Sequence, residues 1–289
     1  MKIVVFGASG RLGCTLIPYL KSCGHNVFYD FIDESTNFRV DLCEYEDLGR
    51  ILDLHNPEII INLAAFTDVD QCEDKPILAY LVNVKIVENI VKWIKLNNNC
   101  YLIQLSSDHL YNGSGPHKEY NHTLTNYYSY SKFMGELVAS QVSSTILRTN
   151  FIGRSKCKVR RCMTDWLMDS IINQKPFAVF DDIFFSPLSL NTLSEQIEMI
   201  VRNQIPGTYN LGSKNGLSKA ELAYFFVDLL DLKAEFMRRN NSTSIKLRSY
   251  RPKDMRMDSS LFEKTFGVKL PTLKNELIKL KPLYEHYPR

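Results

Sequence analysis

The glycines at the head of this chain constrain it more than any other feature. A β-branched run, Ile3–Phe6, leads directly into Gly7-Ala8-Ser9-Gly10-Arg11-Leu12-Gly13, and helix-period residues follow from Arg11 to Ser22. Without a Cβ, glycine lets a strand turn sharply into a helix and lets an anion approach the backbone N–H groups at the helix start. Glycine-rich turns are common by themselves. Between a strand and a helix, this one reads as a cradle for a dinucleotide pyrophosphate, with Gly7, Ser9, Gly10, Arg11, Leu12 and Gly13 facing the cofactor. Pro18 lies inside the helix and removes one backbone hydrogen bond, which predicts a kink or a shortened element.

Strand-like runs alternate with helical ones through the first half. Ile3–Phe6, Asn26–Phe31, Phe38–Leu42, Ile59–Ala64, Tyr101–Leu105 and Thr145–Arg148 read as buried strands. Arg11–Ser22, Tyr45–Leu54, Ile77–Leu96 and Tyr127–Val142 read as the helices between them. That order predicts an α/β fold with a Rossmann-type doubly wound parallel sheet over residues 1–150. After Thr149 the alternation becomes irregular, with helices expected at Met163–Asn173, Leu217–Leu230 and Leu273–Leu280. Residues 151–289 are therefore expected to form a smaller, mixed C-terminal substrate-binding lobe, with some crossing of the chain between lobes.

Composition narrows the class. With 289 residues, 45% hydrophobic and 23% charged, the chain can fill a large α/β core, which disfavours a disordered or fibrous reading. A formal charge of +3 without a dense Lys/Arg run gives no reason to expect nucleic acid as a partner. The seven cysteines (14, 23, 43, 72, 100, 157 and 162) are odd in number, scattered and free of any C-x-x-C pair. They read as reduced thiols rather than a disulfide framework or zinc ribbon. No ligand-spaced cluster suggests a metal. Met1 runs at once into a strand, and no apolar run approaches a membrane span, so a cytoplasmic protein without membrane contact is expected.

The cofactor's identity is contested within the sequence. Asp30, at the end of the second strand, would accept hydrogen bonds from a ribose 2′-OH and repel a 2′-phosphate, favouring NADH. Arg11 instead offers a guanidinium to that phosphate, favouring NADPH, to which the preference goes. Asp41, with Leu42 beside it, either faces the adenine or caps the following helix. Ala64 and Ala65 follow a strand end and belong to the same floor.

The chemical group is Tyr128-Ser129-Tyr130-Ser131-Lys132, which sets a phenol and an ammonium one helical turn apart. A cation beside a phenol favours phenolate, so Lys132 is expected to lower the Tyr128 pKa toward a range useful for acid catalysis. Lys132 is also long enough to hold a nicotinamide ribose. Ser107, at the C-terminal end of Tyr101–Leu105, sits where open α/β sheets gather ligands. Ser107, Tyr128 and Lys132 are the expected catalytic set.

In the order of these elements the chain resembles the dTDP-4-dehydrorhamnose reductase family of extended short-chain dehydrogenases. The resemblance runs nearly end to end: the glycine loop, Asn62–Ala65 with Val69-Asp70, Pro76–Asn83 (PILAYLVN), Ser106–Gly113 (SSDHLYNG) and Pro116–Tyr120. It continues through Tyr128–Glu136 (YSYSKFMGE), Arg148–Gly153 (RTNFIG) and Arg251–Pro271 (RPKDMRMDSSLFEKTFGVKLP). It implies NAD(P)H-dependent reduction of the C4 ketone of a nucleotide-linked 4-keto-6-deoxysugar, a step in polysaccharide precursor synthesis, in a possible homodimer. Tyr128 would protonate the alkoxide and Ser107 polarise the carbonyl. Ser107, Asp108, His109, Phe151 and Arg251 would contact substrate, with Arg251 and the basic Lys156–Arg161 segment offered to its diphosphate. Phe151 stands where the family usually carries tryptophan, and His109 where the reductases carry tyrosine and the related epimerase–reductases cysteine. The family lysine early in the second lobe has no clear counterpart, with only Asp165 or a displaced Lys158 nearby. A bifunctional 3,5-epimerase/4-reductase, another nucleotide-sugar dehydrogenase or epimerase, and a non-catalytic subunit like the methionine adenosyltransferase β subunit stay open as alternatives.

Overall fold

Strands that are apolar on both faces need cover on both faces, and the computed structural model supplies it. It describes residues 1–29, 40–97, 100–157, 160–244 and 248–287. Six strands form one sheet: β1 (Lys2–Phe6), β2 (Asn26–Tyr29), β3 (Ile59–Asn62), β4 (Tyr101–Ser107), β5 (Ser144–Thr149) and β6 (Gly207–Leu211). They run in the order β6-β5-β4-β3-β1-β2, and every pairing is parallel. Side chains alternate between the faces. Ile3, Val5, Ile59, Ile61 and Ile103 pack with Leu16 and Leu20 of helix Gly13–Ser22 and with Leu193, Ile197 and Ile200 of helix Leu190–Arg202. Val4, Phe6, Ile60 and Leu102 pack on the opposite side with Leu48 and Leu52 of helix Tyr45–His55 and with Ile86, Ile90 and Trp93 of helix Ile86–Asn97. A separate core joins helices Met163–Ile172, Lys219–Leu229 and Leu273–Tyr284 through Leu167, Phe226 and Leu277.

Three expectations change. The strand expected at Phe38–Leu42 is not seen in its described part, since Val40, Asp41 and Leu42 are irregular; residues 30–39, including Asp30, lie outside the described residues. Helix Ile77–Leu96 is broken into Pro76–Tyr80, a π-helical turn at Leu81–Lys85, and Ile86–Asn97. The helix carrying Pro18 is continuous through the proline but begins at Gly13 rather than Arg11, ending at Ser22. The sixth strand and helix Leu190–Arg202 return to the sheet from beyond Thr149.

The π-turn has a positional consequence. It places buried Asn83 so that its side chain accepts from Phe66 N (2.8 Å) and donates to Phe66 O (3.0 Å) and to Ser131 Oγ (2.8 Å). A Cβ on Gly135 would stand 2.5 Å from the Asn83 carbonyl oxygen, so helix Tyr127–Ala139 sits close against this turn. One side chain thus fixes the loop after β3 against the helix that carries Tyr128 and Lys132.

Candidate active site

Parallel strands register their C-terminal ends together, and the cavity opens there. Phe6 pairs with Asn62, and Ser107 with Thr149. Above these ends lies a cavity of about 720 Å³. One wall is the glycine loop. Gly7 has φ +82°, and a Cβ there would meet Ala64 N at 2.5 Å; at Gly13 a Cβ would meet Ala8 O at 2.3 Å. Gly10 N donates to Gly7 O at 3.1 Å and closes the turn. The following helix has no acidic residue in its first turn and no side-chain cap, so its N-terminal dipole faces the cavity uncompensated. A narrow groove with backbone donors and no Cβ in the way fits the pyrophosphate of a dinucleotide.

Of the residues expected at the cofactor, Gly7, Ser9, Gly10, Arg11, Leu12, Gly13, Ala64 and Ala65 line this cavity. Ser107, Asp108, His109, Tyr128, Lys132 and Phe151 line it as well, with Lys156 and Arg160. Arg11 reaches across to donate to Arg161 O (3.3 Å) and lies 5.3 Å over the Phe151 ring, joining the glycine loop to the second half of the chain. Asp41 and Leu42 do not line this cavity: Asp41 accepts from Cys43 N at 2.9 Å in the turn before helix Tyr45–His55, and Leu42 is buried in the core beneath it. Arg251 does not line the cavity. It donates to Asp70 Oδ2 (2.8 Å) and to Ser249 O (3.1 Å), an ion pair that holds the Asp70 carboxyl below the usual range. Arg161 stands 3.9 Å from Asp169, and Lys158 lies outside the described residues.

Helix Tyr127–Ala139 is started by a capping box. Asn126 Oδ1 accepts from Ser129 N at 2.8 Å, and Ser129 Oγ accepts from Asn126 N at 3.2 Å. Tyr128 and Lys132 then fall on its buried face. Their electrostatics correct the expectation of a lowered phenol pKa. Lys132 Nζ donates to the Leu105 carbonyl at 2.7 Å, and the charges acting on Tyr128 are those of Asp108, Cys72 and Arg11. Burial pushes Tyr128 up to about 12, opposed by a hydrogen bond with Ser107. Burial likewise draws Lys132 down to about 8, opposed by Glu136. Sequence spacing put the two groups on one face, but burial, and not either group's effect on the other, dominates both shifts. Tyr128 is thus a protonated donor at neutral pH.

His109 packs edge-on to Tyr128 with centroids 5.4 Å apart, and its buried Nδ1 has no hydrogen-bond partner. Burial, with Lys219 and Arg251 nearby, lowers it to about 3, so the ring is neutral. Asp108, fully buried, is raised to about 6 by desolvation against hydrogen bonds from Asn150 and Ser107 and the charge of Lys219. Sequence reasoning missed Asn150, Cys14, Cys157 and Thr67 at the cavity and Lys219 beside it. Asn150 directly follows β5, so the strand-end rule that found Ser107 was the available signal. All seven cysteines are unpaired, and among the described residues no group of three or more His, Cys, Asp or Glu is placed to hold a metal ion.

A doubly wound parallel sheet with a glycine loop at its first turn and a Tyr-x-x-x-Lys helix beside its fourth strand defines the extended short-chain dehydrogenase/reductase class. Within that class the chain belongs to the family described as RmlD substrate binding domain, whose model matches residues 1–283. It is 23% identical over 299 residues to the probable low-salt glycan biosynthesis reductase Agl14 of Haloferax volcanii, with 99% of each chain covered. It is 24% identical over 286 residues to dTDP-4-dehydrorhamnose reductase of Escherichia coli K12, with 94% of each covered. Its fold matches that of dTDP-4-dehydrorhamnose reductase from Bacillus anthracis, solved in complex with NADP, at a TM-score of 0.86 and 22% identity, over 96% of this chain and 98% of that one.

Proposed function

We propose that this chain uses NADPH to reduce the C4 ketone of a nucleotide-linked 4-keto-6-deoxysugar. The enzyme class, a nucleotide-sugar reductase using a nicotinamide cofactor, follows from the family and from relatives that are reductases. The observation that carries the finer reading is the convergence of Ser107, Tyr128 and Lys132 on a cavity walled by the glycine loop.

Gly7–Gly13, Ala64 and Ala65 would hold the dinucleotide, with NADPH preferred because Arg11 is the cation that the glycine loop offers to a phosphate. A bound nicotinamide supplies the hydride. Tyr128, neutral and buried, donates its proton to the oxygen at C4 as negative charge develops there. Ser107 donates a hydrogen bond to the same oxygen. Lys132, anchored on Leu105 O, would hold the nicotinamide ribose, while Arg11 is the positive charge that acts on the phenol. Phe151 forms an apolar wall, and Lys156 and Arg160 offer donors to a diphosphate. Residues 1–150 supply the cofactor side and residues 151–289 most of the substrate side. Among the described residues no helix is long and apolar enough to cross a membrane.

The test is oxidation of NADPH with dTDP-, UDP-, GDP- and CDP-linked 4-keto-6-deoxysugars. Y128F is expected to lower kcat by about 10²–10⁴-fold while leaving NADPH affinity near that of the wild type. Absence of turnover across the panel, with Y128F and wild type alike, would reject the reading and point to a non-catalytic binding role. A second activity, epimerisation at C3 or C5, would put its base at His109 beside Tyr128, but burial and the charges of Lys219 and Arg251, which lower the ring to about 3, make it a weak base and favour plain reduction. NMR of products formed in deuterated water separates C4 reduction from epimerisation.

A further inference from the structure

The hydrogen bonds around Ser107 raise a question of proton count. A serine hydroxyl has one proton to give. Ser107 Oγ accepts from His109 N at 3.2 Å and donates that proton to Asp108 Oδ1 at 3.3 Å, with the protonated Tyr128 hydroxyl as its other hydrogen-bonding neighbour. A hydroxyl committed to a carboxylate cannot also donate to a ketone.

The Asp108 carboxyl is held in a defined orientation. Asn150 Oδ1 accepts from Phe151 N at 2.8 Å, which fixes the amide and directs Asn150 Nδ2 to Asp108 Oδ2 at 2.7 Å. Asp108 Oδ2 is therefore an acceptor in either protonation state. Asn150 Nδ2 occupies Oδ2, which leaves Oδ1, the oxygen that faces Ser107, better placed to carry a proton on Asp108. There it donates to Ser107 Oγ, and the serine proton turns free into the cavity.

We propose that Asp108 is a positioning residue whose protonation on Oδ1 switches Ser107 from a donor to Asp108 into a donor to the substrate carbonyl, with Asn150 as the clamp that selects that oxygen. The proposal rests on the reductase reading given above and goes beyond it, because it assigns a state to a residue that the sequence marked only as a substrate contact. No bond to the substrate is made by Asp108. Its proton stays between Oδ1 and Ser107 Oγ, and the proton delivered to C4–O still comes from Tyr128.

The surroundings agree. Asp108 is 1% exposed and lines the cavity beside Ser107 and Asn150. Burial lifts it to about 6, so both protonation states are accessible near neutrality. The groups that face it are Lys219, which favours its ionised form, Tyr128, whose own proton it helps to retain, and the neutral His109. Arg251 acts on Lys219 and His109.

Reduction needs protonated Asp108, so kcat/KM for the keto sugar should fall as pH rises through the Asp108 titration near 6. D108N imitates the protonated state, since its oxygen can accept from Asn150 while its NH₂ donates to Ser107. Its kcat/KM is expected to stay flat over the range in which the wild type declines, and to exceed the wild type at the alkaline end. D108A, which removes both contacts, should be slow at every pH. K219M should move the wild-type midpoint upward without abolishing the decline. A D108N profile that falls in parallel with the wild type, or D108N and D108A variants that behave alike, would overturn the proposal.

A readout that needs no substrate keeps the two readings apart. Infrared titration of the free protein should show the Asp108 carboxylic C=O stretch, absent in D108N, and S107A should raise its midpoint because the ionised form loses a donor. An unmoved midpoint in S107A overturns the switch whatever the protein reduces. A moved midpoint with no turnover on any keto sugar rejects the reductase reading and leaves the Ser107–Asp108 couple standing.

Discussion

Replacing Gly7 with alanine isolates the requirement from which the whole site follows. Two penalties act at that position. The backbone has φ +82°, where an L-residue costs roughly 1–2 kcal/mol relative to glycine. The new methyl would also lie 2.5 Å from Ala64 N and 2.7 Å from Leu63 C, backbone atoms of a buried crossing that cannot rotate away. Overpacking of this kind costs about 1–3 kcal/mol. Together they remove about 2–5 kcal/mol, and at roughly 2–4 °C per kcal/mol for a chain of this size the melting midpoint should fall by roughly 4–20 °C. Gly24 provides the control, because it has φ +85° with nothing within 4 Å of its Cβ position. G24A should show the conformational penalty alone. Circular dichroism melts of G7A, G24A and wild type, with NADPH titrations of each, measure both effects. G7A should lose cofactor affinity because relief of the overlap moves the loop away from Ala64, a wall of the cavity, whereas G24A should not. If G7A melts with G24A and binds NADPH like the wild type, the close crossing of the glycine loop over the end of β3 is not what shapes the cradle.

Other perturbations probe different parts of the site. Lys132 has a folded-state pKa lowered to about 8 from an ordinary 10.5, so the unfolded chain binds an extra proton between those values and stability should rise with pH across that window. K132M should remove about 2–3 kcal/mol of that rise in urea unfolding at the two ends of the window, and curves for the two proteins that stay parallel would contradict the burial argument. Arg148 is buried and donates to Glu136 Oε1 (2.9 Å), Glu136 Oε2 (2.6 Å) and the Tyr111 hydroxyl (2.8 Å). E136A leaves that guanidinium without its counter-charge and should cost about 3–5 kcal/mol, whereas the double change E136L/R148M should recover part of the loss in the same denaturation assay.

Periodicity carried the fold wherever a residue's neighbours in sequence decide its environment. Ile3–Phe6 and Tyr101–Leu105 are apolar on both faces, and only a covered parallel sheet satisfies such runs. The glycine loop and the Tyr128/Lys132 spacing were legible for the same reason, since each is a local geometry written into consecutive residues. What escaped depends on distant partners. Nothing near Arg251 in sequence announces Asp70, 181 residues away, which takes its guanidinium. The expected lowering of Tyr128 failed because burial, a property of the assembled fold, raises it, and Lys132 one helical turn along is not among the groups that act on it. The π-turn at Leu81–Lys85 is likewise invisible to a helical period, yet it aims Asn83 at both Phe66 and Ser131.

The sixth strand sets a rule for the order in which this protein can be completed. Residues 207–211 pair with β5 from Gly207↔Thr145 to Leu211↔Thr149, and Asn210 accepts the Tyr111 hydroxyl at 2.6 Å in the network that contains Arg148. A ribosome that has released only the first 150 residues has delivered the glycine loop, Ser107, Tyr128 and Lys132. It has not delivered the strand that covers β5, whose N–H and C=O groups remain an open edge for another chain to pair with. The six-stranded sheet therefore cannot be completed during synthesis until some sixty residues beyond residue 150 have emerged. Strand exchange between nascent chains, and not only slow folding, is the hazard that this topology must outrun.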